Sequence, residues 1–183
     1  ERECPLGHTR CLGDVSALAL SPNYAVDQIV AAITSVDGRL HWSTTRGDTW
    51  TSGNLSIGVG GEHSLLFSPS FTIDHLLLAA SSNDPGAYRS SNGGSTWMPV
   101  GWYDPYQAYK GGFVGGAVQA LALAPTTAAQ PFAFAGTRAG LYRSQNSGEN
   151  WYQAMTGLPH VTVRSVAISP ADSARWLAGT SYF

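Results

Sequence analysis

Ser90-Ser-Asn-Gly-Gly94-Ser-Thr-Trp97 is one of three copies of a short sequence pattern. The other copies are Ser43-Thr-Thr-Arg-Gly47-Asp-Thr-Trp50 and Ser144-Gln-Asn-Ser-Gly148-Glu-Asn-Trp151. In each copy the glycine follows the serine by four residues and the tryptophan follows it by seven. Because each copy lies between two short stretches of β-forming residues, each is predicted to be a hairpin turn.

A second pattern recurs in phase with the first. Four apolar runs, at residues 17–22, 65–69, 120–125 and 165–170, each end in proline, which cannot donate to a sheet ladder and therefore ends a strand. The prolines, at positions 22, 69, 125 and 170, are 47, 56 and 45 residues apart. Periods of roughly 40 to 50 residues with about four strands each are typical of propeller blades.

Each repeat predicts four strands, called A to D in chain order. The predicted strands are residues 15–21, 28–34, 39–43 and 49–52 in the first repeat, and 64–68, 75–80, 87–90 and 96–100 in the second. They are residues 118–124, 132–136, 141–144 and 150–155 in the third, and 163–169 and 175–179 in the last. We expect an all-β fold, a β-propeller segment of about three and a half four-stranded antiparallel blades. The blades are expected at residues 15–53, 64–100, 117–157 and, as a half blade, 163–183, after a cysteine-containing segment at residues 1–14.

The turn pattern resembles the Asp-box, or BNR, repeat of sialidase-like and sortilin-like propellers, whose usual form is S-x-D-x-G-x-x-W. The resemblance covers nearly everything from Val15 to Phe183, although the aspartate position holds Thr45, Asn92 and Asn146. Threonine ties a turn less well than asparagine, so the first turn is expected to be the least regular. The resemblance implies a structural role for the box residues, as does the packing of a large indole against a blade. These residues are Ser43, Gly47, Trp50, Ser90, Asn92, Gly94, Trp97, Ser144, Asn146, Gly148 and Trp151.

Composition excludes several classes of function. The net charge is −2 and charged residues make up 12% of the chain, with no cluster of lysine and arginine, so nucleic-acid binding is not expected. No apolar run reaches the roughly eighteen residues that cross a bilayer. The five histidines are scattered, and no cofactor is expected. Since a propeller closes only with about four or more blades, the chain is expected to meet further propeller blades or another protein subunit.

The two cysteines, Cys4 and Cys11, lie close together around a proline and a glycine. A small disulfide loop is the preferred interpretation, and it indicates an oxidising, extracytoplasmic location: secreted, periplasmic or at the cell surface. A metal site that adds His8 is an alternative, although its spacing matches no standard zinc pattern. Two inert thiols are the third interpretation.

Antiparallel topology predicts where function is located. The A–B turns and the boxes share one end of the blades, here called the box end. The B–C turns and the connections between blades share the other, the loop end. The loop end collects the turns at residues 36–38, 83–85 and 137–139 and the connections 53–63, 101–116 and 156–162. Candidate binding residues are Trp102, Tyr103, Asp104, Tyr106, Tyr109, Lys110, Asp84 and Arg138.

The connection 101–116 is long and rich in aromatic residues, where such connections are usually polar. Its rings either bind a protein partner or a glycan, or pack over the propeller rim. The sequence therefore predicts a non-catalytic scaffold or binding module. The alternative is part of a glycoside hydrolase that uses loop-end carboxylates, namely Asp37, Glu62, Asp84 and Asp104.

Overall fold

The computed structural model describes residues 12–83, 86–101, 112–113, 117–124, 132–154, 161–169 and 175–181. These residues form fourteen strands and two short helices. The first seven strands are β1 (Val15–Leu20), β2 (Val30–Thr34), β3 (Arg39–Ser43), β4 (Thr51–Ser56), β5 (His63–Phe67), β6 (Leu77–Ser81) and β7 (Ala87–Ser90). The others are β8 (Met98–Val100), β9 (Val118–Leu123), β10 (Ala133–Thr137), β11 (Gly140–Ser144), β12 (Tyr152–Gln153), β13 (Thr162–Ile168) and β14 (Trp176–Ser181).

The strands form four antiparallel sheets in chain order. Sheet 1 is β1-β2-β3-β4, sheet 2 is β5-β6-β7-β8, sheet 3 is β9-β10-β11-β12, and sheet 4 is the pair β13-β14. This order confirms the predicted all-β architecture of three four-stranded sheets and a half. Most predicted strand bounds agree to within two residues, but β4 continues to Ser56 and β12 contains only Tyr152 and Gln153.

The sheets stack face to face, strand A on strand A. β5 packs on β1, β9 on β5, and β13 on β9. The second strand of each complete sheet is buried along its whole length. Its residues are mostly small or aliphatic, as in Val30–Thr34, which suits a strand enclosed on both sides. Three apolar cores fill the spaces between successive sheets.

Two short helices, which the sequence analysis did not predict, connect strands A and B. They are α1 (Tyr24–Asp27) and α2 (Phe71–Asp74). In α1 the carboxylate of Asp27 accepts hydrogen bonds from Ser21 Oγ at 2.5 Å and from the Ile29 backbone N–H at 3.0 Å, and Asp74 makes the matching bonds in α2. In sheets 1 and 2 the carboxylate therefore closes the turn that follows the proline-ended strand. In the described part of the chain, no helix is long and apolar enough to cross a membrane.

Candidate functional site: the loop end

The three boxes are hairpin turns between strands C and D, as predicted. In each turn the serine hydroxyl oxygen accepts the backbone N–H of the glycine at 2.9 Å. The first two boxes also touch the A–B turn of their own sheet, through Arg46 N–H to Gln28 O and Gly93 N–H to His75 O. The box end is thus a network of turns that bond to one another.

The residue at the aspartate position ties each turn a second time. Asn92 and Asn146 each accept a backbone N–H four residues later at 2.9 Å, and Thr45 accepts the corresponding bond at 3.0 Å. The serine hydroxyl of the second box lies 3.0 Å from the Asn92 side-chain oxygen, and that of the third box lies 2.9 Å from the Asn146 oxygen. In the first box the serine hydroxyl is 3.4 Å from the Thr45 hydroxyl. The first turn is therefore tied less closely, in the direction expected.

The box tryptophans differ in burial, although the sequence pattern gives all three the same packing role. Trp151 is fully buried, and Trp97 and Trp50 are only half-buried. The indole N–H donates to the box glycine carbonyl at 2.9 Å in Trp151 and 3.1 Å in Trp97, and among the described residues Trp50 makes no such bond. Trp151 is enclosed because Phe113, from the preceding connection, packs on its ring.

At the loop end, the B–C turn of sheet 1 is joined by backbone hydrogen bonds to the connection that follows β4. The Ile57 N–H donates to Gly38 O and the Gly60 N–H donates to Ser35 O, both at 2.9 Å. Gly38 has a φ of +64°, and a Cβ there would lie 1.7 Å from Ile57 O. Only glycine fits this position, so the turn and the connection form one rigid unit.

The same connection also grips sheet 2. Asn83 Nδ2 donates to Val59 O at 3.0 Å, and the Ser82 N–H donates to Glu62 O at 2.8 Å. His63 Nε2 lies 2.8 Å from Gly58 O, and its Nδ1 bonds to a serine hydroxyl of β1. The loop-end segments of sheets 1 and 2 are therefore held together by backbone and side-chain bonds.

Two apolar side chains project from this frame. Val36, in the B–C turn, and Val59, in the connection, are both exposed, and the bond between Gly60 N–H and Ser35 O places their backbones side by side. Exposed apolar residues on a fixed frame are typical of surfaces that bind partners. Neither valine could be selected from the sequence, since an isolated valine in a turn carries no distinctive signal.

Two of the four loop-end carboxylates, Asp37 and Glu62, lie in the described residues. Asp37 accepts bonds from the Thr34 hydroxyl and the Arg39 backbone N–H. Burial alone would raise the pKa of Asp37, but these bonds and the nearby His41 and Arg39 lower it below its usual value. Glu62 is exposed, and Asp84 and Asp104 lie outside the described residues. Within the described ranges no group of three or more metal-ligating side chains is present.

The connection 101–116, between sheets 2 and 3, is described at residues 101, 112 and 113. The Phe113 N–H donates to Gly101 O at 2.8 Å, which holds the two ends together, and the Gly112 N–H donates to Trp151 O at 2.8 Å. Phe113 is buried against Tyr142 and Trp151, so this ring packs in the core. Gly112 and Phe113 therefore lie between Gly101, which follows β8, and Trp151, which precedes β12. The apolar pair flanked by glycines, Gly-Gly-Phe-Val-Gly-Gly, was the available signal for this anchor.

The remaining candidates fall into two groups. Arg138 is exposed in the B–C turn of sheet 3, as expected for the loop end. The other binding candidates lie outside the described residues; they are Trp102, Tyr103, Asp104, Tyr106, Tyr109, Lys110 and Asp84. Cys4 and Cys11 lie outside the described residues as well. Arg89 lies at the box end, where its Nε donates to Ser147 O at 2.9 Å and its guanidinium is 3.5 Å from Glu149.

Comparison with known proteins identifies this architecture as part of a β-propeller. The chain is similar to an ancestral GH74 enzyme, with 22% identity and a TM-score of 0.64 over 85% of this chain and 20% of that one. It is also similar to the GH74 xyloglucanase from Xanthomonas campestris, with 18% identity and a TM-score of 0.63 over 90% of this chain and 30% of that one.

A third solved structure, YCF48 bound to D1 peptide, has 19% identity and a TM-score of 0.56 over 86% of this chain and 46% of that one. No family model and no curated protein matches the chain. The chain thus spans between a fifth and just under half of these structures. The likeness establishes the propeller fold, with the described sheets as its blades.

Proposed function

We propose that this chain is a non-catalytic propeller scaffold whose loop end binds a protein partner or a glycan outside the cytoplasm. The observation that carries the proposal is the exposed pair Val36 and Val59, held on a hydrogen-bonded frame that joins sheets 1 and 2. A rigid frame lowers the entropy cost of binding, and exposed apolar side chains supply contact area. The proposed disulfide between Cys4 and Cys11 suits an extracytoplasmic location.

The aromatic connection extends this surface. Its base is fixed by the bond between Phe113 and Gly101 and by the buried Phe113 ring. In the proposal Trp102, Tyr103, Tyr106 and Tyr109 stack on sugar rings or anchor a protein segment, and Asp104, Lys110, Asp84 and Arg138 supply polar contacts. The boxes support the blades from the opposite end and take no part in binding.

Part of a glycoside hydrolase is the second candidate, favoured by the similarity to GH74 enzymes. A hydrolase needs one carboxyl group that stays protonated to act as the general acid. Asp37 does not suit that role, because its turn hydrogen bonds lower its pKa. The general acid would then be Glu62, Asp84 or Asp104, and Asp37 would suit only the ionised partner that acts as nucleophile or base.

The test uses the purified chain against two probes, a peptide display library and a glycan array that includes xyloglucan oligosaccharides. We expect a selected binder to lose about tenfold or more in affinity for Val59→Asp, because a carboxylate would replace a buried apolar contact. Ile73→Asp is the matched control, since Ile73 is also exposed and apolar but lies in α2 at the box end. Trp102→Ala tests the aromatic connection in the same way.

Two results would contradict the proposal. Binders whose affinity falls for Ile73→Asp and not for Val59→Asp would place the binding surface at the box end. Release of reducing ends from xyloglucan by the purified chain, abolished in Glu62→Gln, would favour the hydrolase.

A further inference from the structure

A groove of about 230 Å³, here called the rim groove, lies between the outer strands of sheet 1 and the box of sheet 2. Trp42 of β3 forms its aromatic wall, and Thr51 and Asn54 of β4 form its polar wall. Gly94 and Ser95 of the second box border the opposite side. Sheets 1 and 2 both have four strands, so the groove lies between two complete sheets.

The corresponding space between sheets 2 and 3 is bridged by an arginine. Arg89 directly precedes the box serine of sheet 2, as Trp42 precedes that of sheet 1. Its Nε donates to Ser147 O of the third box at 2.9 Å, and its guanidinium lies 3.5 Å from Glu149. Trp42 makes no such bond, and within the described residues its indole N–H has no hydrogen-bond partner. The rim groove is therefore open where its counterpart is bridged.

Trp42 gives the rim groove a fixed aromatic surface. The side chain is half-buried, and Phe67 packs on it with the ring centroids 5.6 Å apart. A Cβ placed on Gly94 would lie 3.5 Å from the Trp42 ring, in ordinary contact, so the glycine leaves the ring uncovered at that point. An indole combines an apolar ring with an N–H donor, which suits the C–H groups and the hydroxyl groups of a sugar.

The polar wall has unused hydrogen-bonding capacity. Thr51 Oγ1 donates to Trp42 O at 3.2 Å, and its lone pairs remain for a further donor. Asn54 Nδ2 donates one hydrogen to Ser95 O at 3.0 Å, which fixes the orientation of the amide. The amide keeps a second N–H and its carbonyl oxygen, which no described residue bonds. A donor and an acceptor side by side can bond two neighbouring hydroxyl groups of a sugar ring.

We infer that the rim groove binds one neutral sugar ring, with the ring against Trp42 and its hydroxyl groups on Thr51 and Asn54. None of the described residues that line the groove is charged, so no cation is present there to balance a phosphate or a carboxylate. The site goes beyond the loop-end surface, because it lies at the outer rim between two sheets. A ligand that makes so few contacts binds with a Kd on the order of millimolar.

Two-dimensional NMR of the ¹⁵N-labelled chain tests the site. Glucose, galactose, mannose, xylose and N-acetylglucosamine are added separately to about 50 mM, well above the expected Kd. We expect at least one sugar to shift the Trp42 indole signal and the Asn54 side-chain amide signals, and the shifts to saturate. Loss of the indole signal in Trp42→Arg assigns it.

Trp42→Arg also tests the binding itself, because it places in sheet 1 the residue that bridges the groove in the next sheet. The new guanidinium is expected to reach Gly93 O as Arg89 reaches Ser147 O, since Gly93 and Ser147 hold the same box position. The sugar should then no longer shift the Asn54 signals. Far-UV circular dichroism verifies the fold of each variant.

Asn54→Ala provides an independent variant that keeps the aromatic wall. It removes two hydrogen bonds to the sugar, and we expect the affinity to fall about tenfold. Gln153→Ala is the matched control, because Gln153 is also an exposed amide on an outer strand, in sheet 3, and its Nε2 lies 3.5 Å from a backbone carbonyl, that of Ala139. This variant should bind sugar like the unaltered chain.

Three results would overturn the inference. The first is that none of the five sugars shifts the Trp42 indole signal. The second is that the shifts grow in proportion to sugar concentration without saturating, which would indicate a solvent effect. The third is that Asn54→Ala and Gln153→Ala bind the sugar equally well, which would mean that the amide wall does not contact it.

Discussion

Replacing Trp151 with alanine is expected to lower the free energy of unfolding by about 4 to 5 kcal/mol. The ring is fully buried and lies 5.2 Å from Phe113, centroid to centroid, and truncating a packed tryptophan costs about 3 to 5 kcal/mol. Its indole N–H also donates to Gly148 O, and a buried carbonyl left without its donor costs about 1 kcal/mol more. Trp97 is half-buried with the same bond, so Trp97→Ala should cost about 2 to 3 kcal/mol. Trp50 is half-buried without it, and Trp50→Ala should cost about 1 to 2 kcal/mol.

The assay is urea unfolding followed by far-UV circular dichroism, with all variants at one protein concentration. Trp151→Phe keeps most of the packing and should cost about half as much as alanine, so the series remains measurable if Trp151→Ala does not fold. Equal losses at the three tryptophans, or a larger loss at Trp50 than at Trp151, would refute the link between burial and the contribution of each box.

Gly38→Ala should lower the free energy of unfolding in urea by at least about 2 kcal/mol, because the new Cβ would overlap Ile57 O. Gly60 has a similar φ of +74°, but a Cβ there would meet no atom within 4 Å. Gly60→Ala should therefore cost only about 1 kcal/mol in the same assay. Arg89→Gln should cost about 1 to 2 kcal/mol in the same assay, since it removes the bond to Ser147 O between sheets 2 and 3. Burial, with a smaller contribution from Arg39, lowers the pKa of His41, although Asp37 opposes this. As the pH falls, His41 is therefore protonated in the unfolded chain before it is protonated in the folded one, and the free energy of unfolding should decrease as the pH drops through about 6.5. In thermal melts, the melting temperature of His41→Gln should depend less on pH in this range.

Much of the fold follows from the sequence because its signals are local and repeated. The spacing of serine, glycine and tryptophan located all three hairpins, and the proline-ended runs located strand A of every sheet. Each signal has one physical cause, a turn that needs a particular backbone or a strand that must end. Repetition made the prediction robust, because an error in one blade would have broken the shared period.

The helices and the candidate site were harder to predict, since they depend on contacts between distant residues. The α1 turn depends on Asp27 reaching back to Ser21, a pairing that composition does not reveal. The burial of Trp151 depends on Phe113, which arrives from another connection. The exposed Val36 and Val59 become neighbours only through the backbone bond between Ser35 and Gly60. Tertiary contacts of this kind are invisible to turn and strand patterns.

The most direct test of the account is a hydrogen–deuterium exchange footprint of the chain, free and bound to the tightest ligand from the peptide or glycan selection. The account predicts slower exchange on binding at the loop end, in residues 35–38 and 57–62 and in the connection 101–116. It predicts unchanged exchange at the box turns, residues 45–48, 92–95 and 146–149. Protection confined to the box turns, with none at the loop end, would contradict the division of the propeller into a structural end and a binding end.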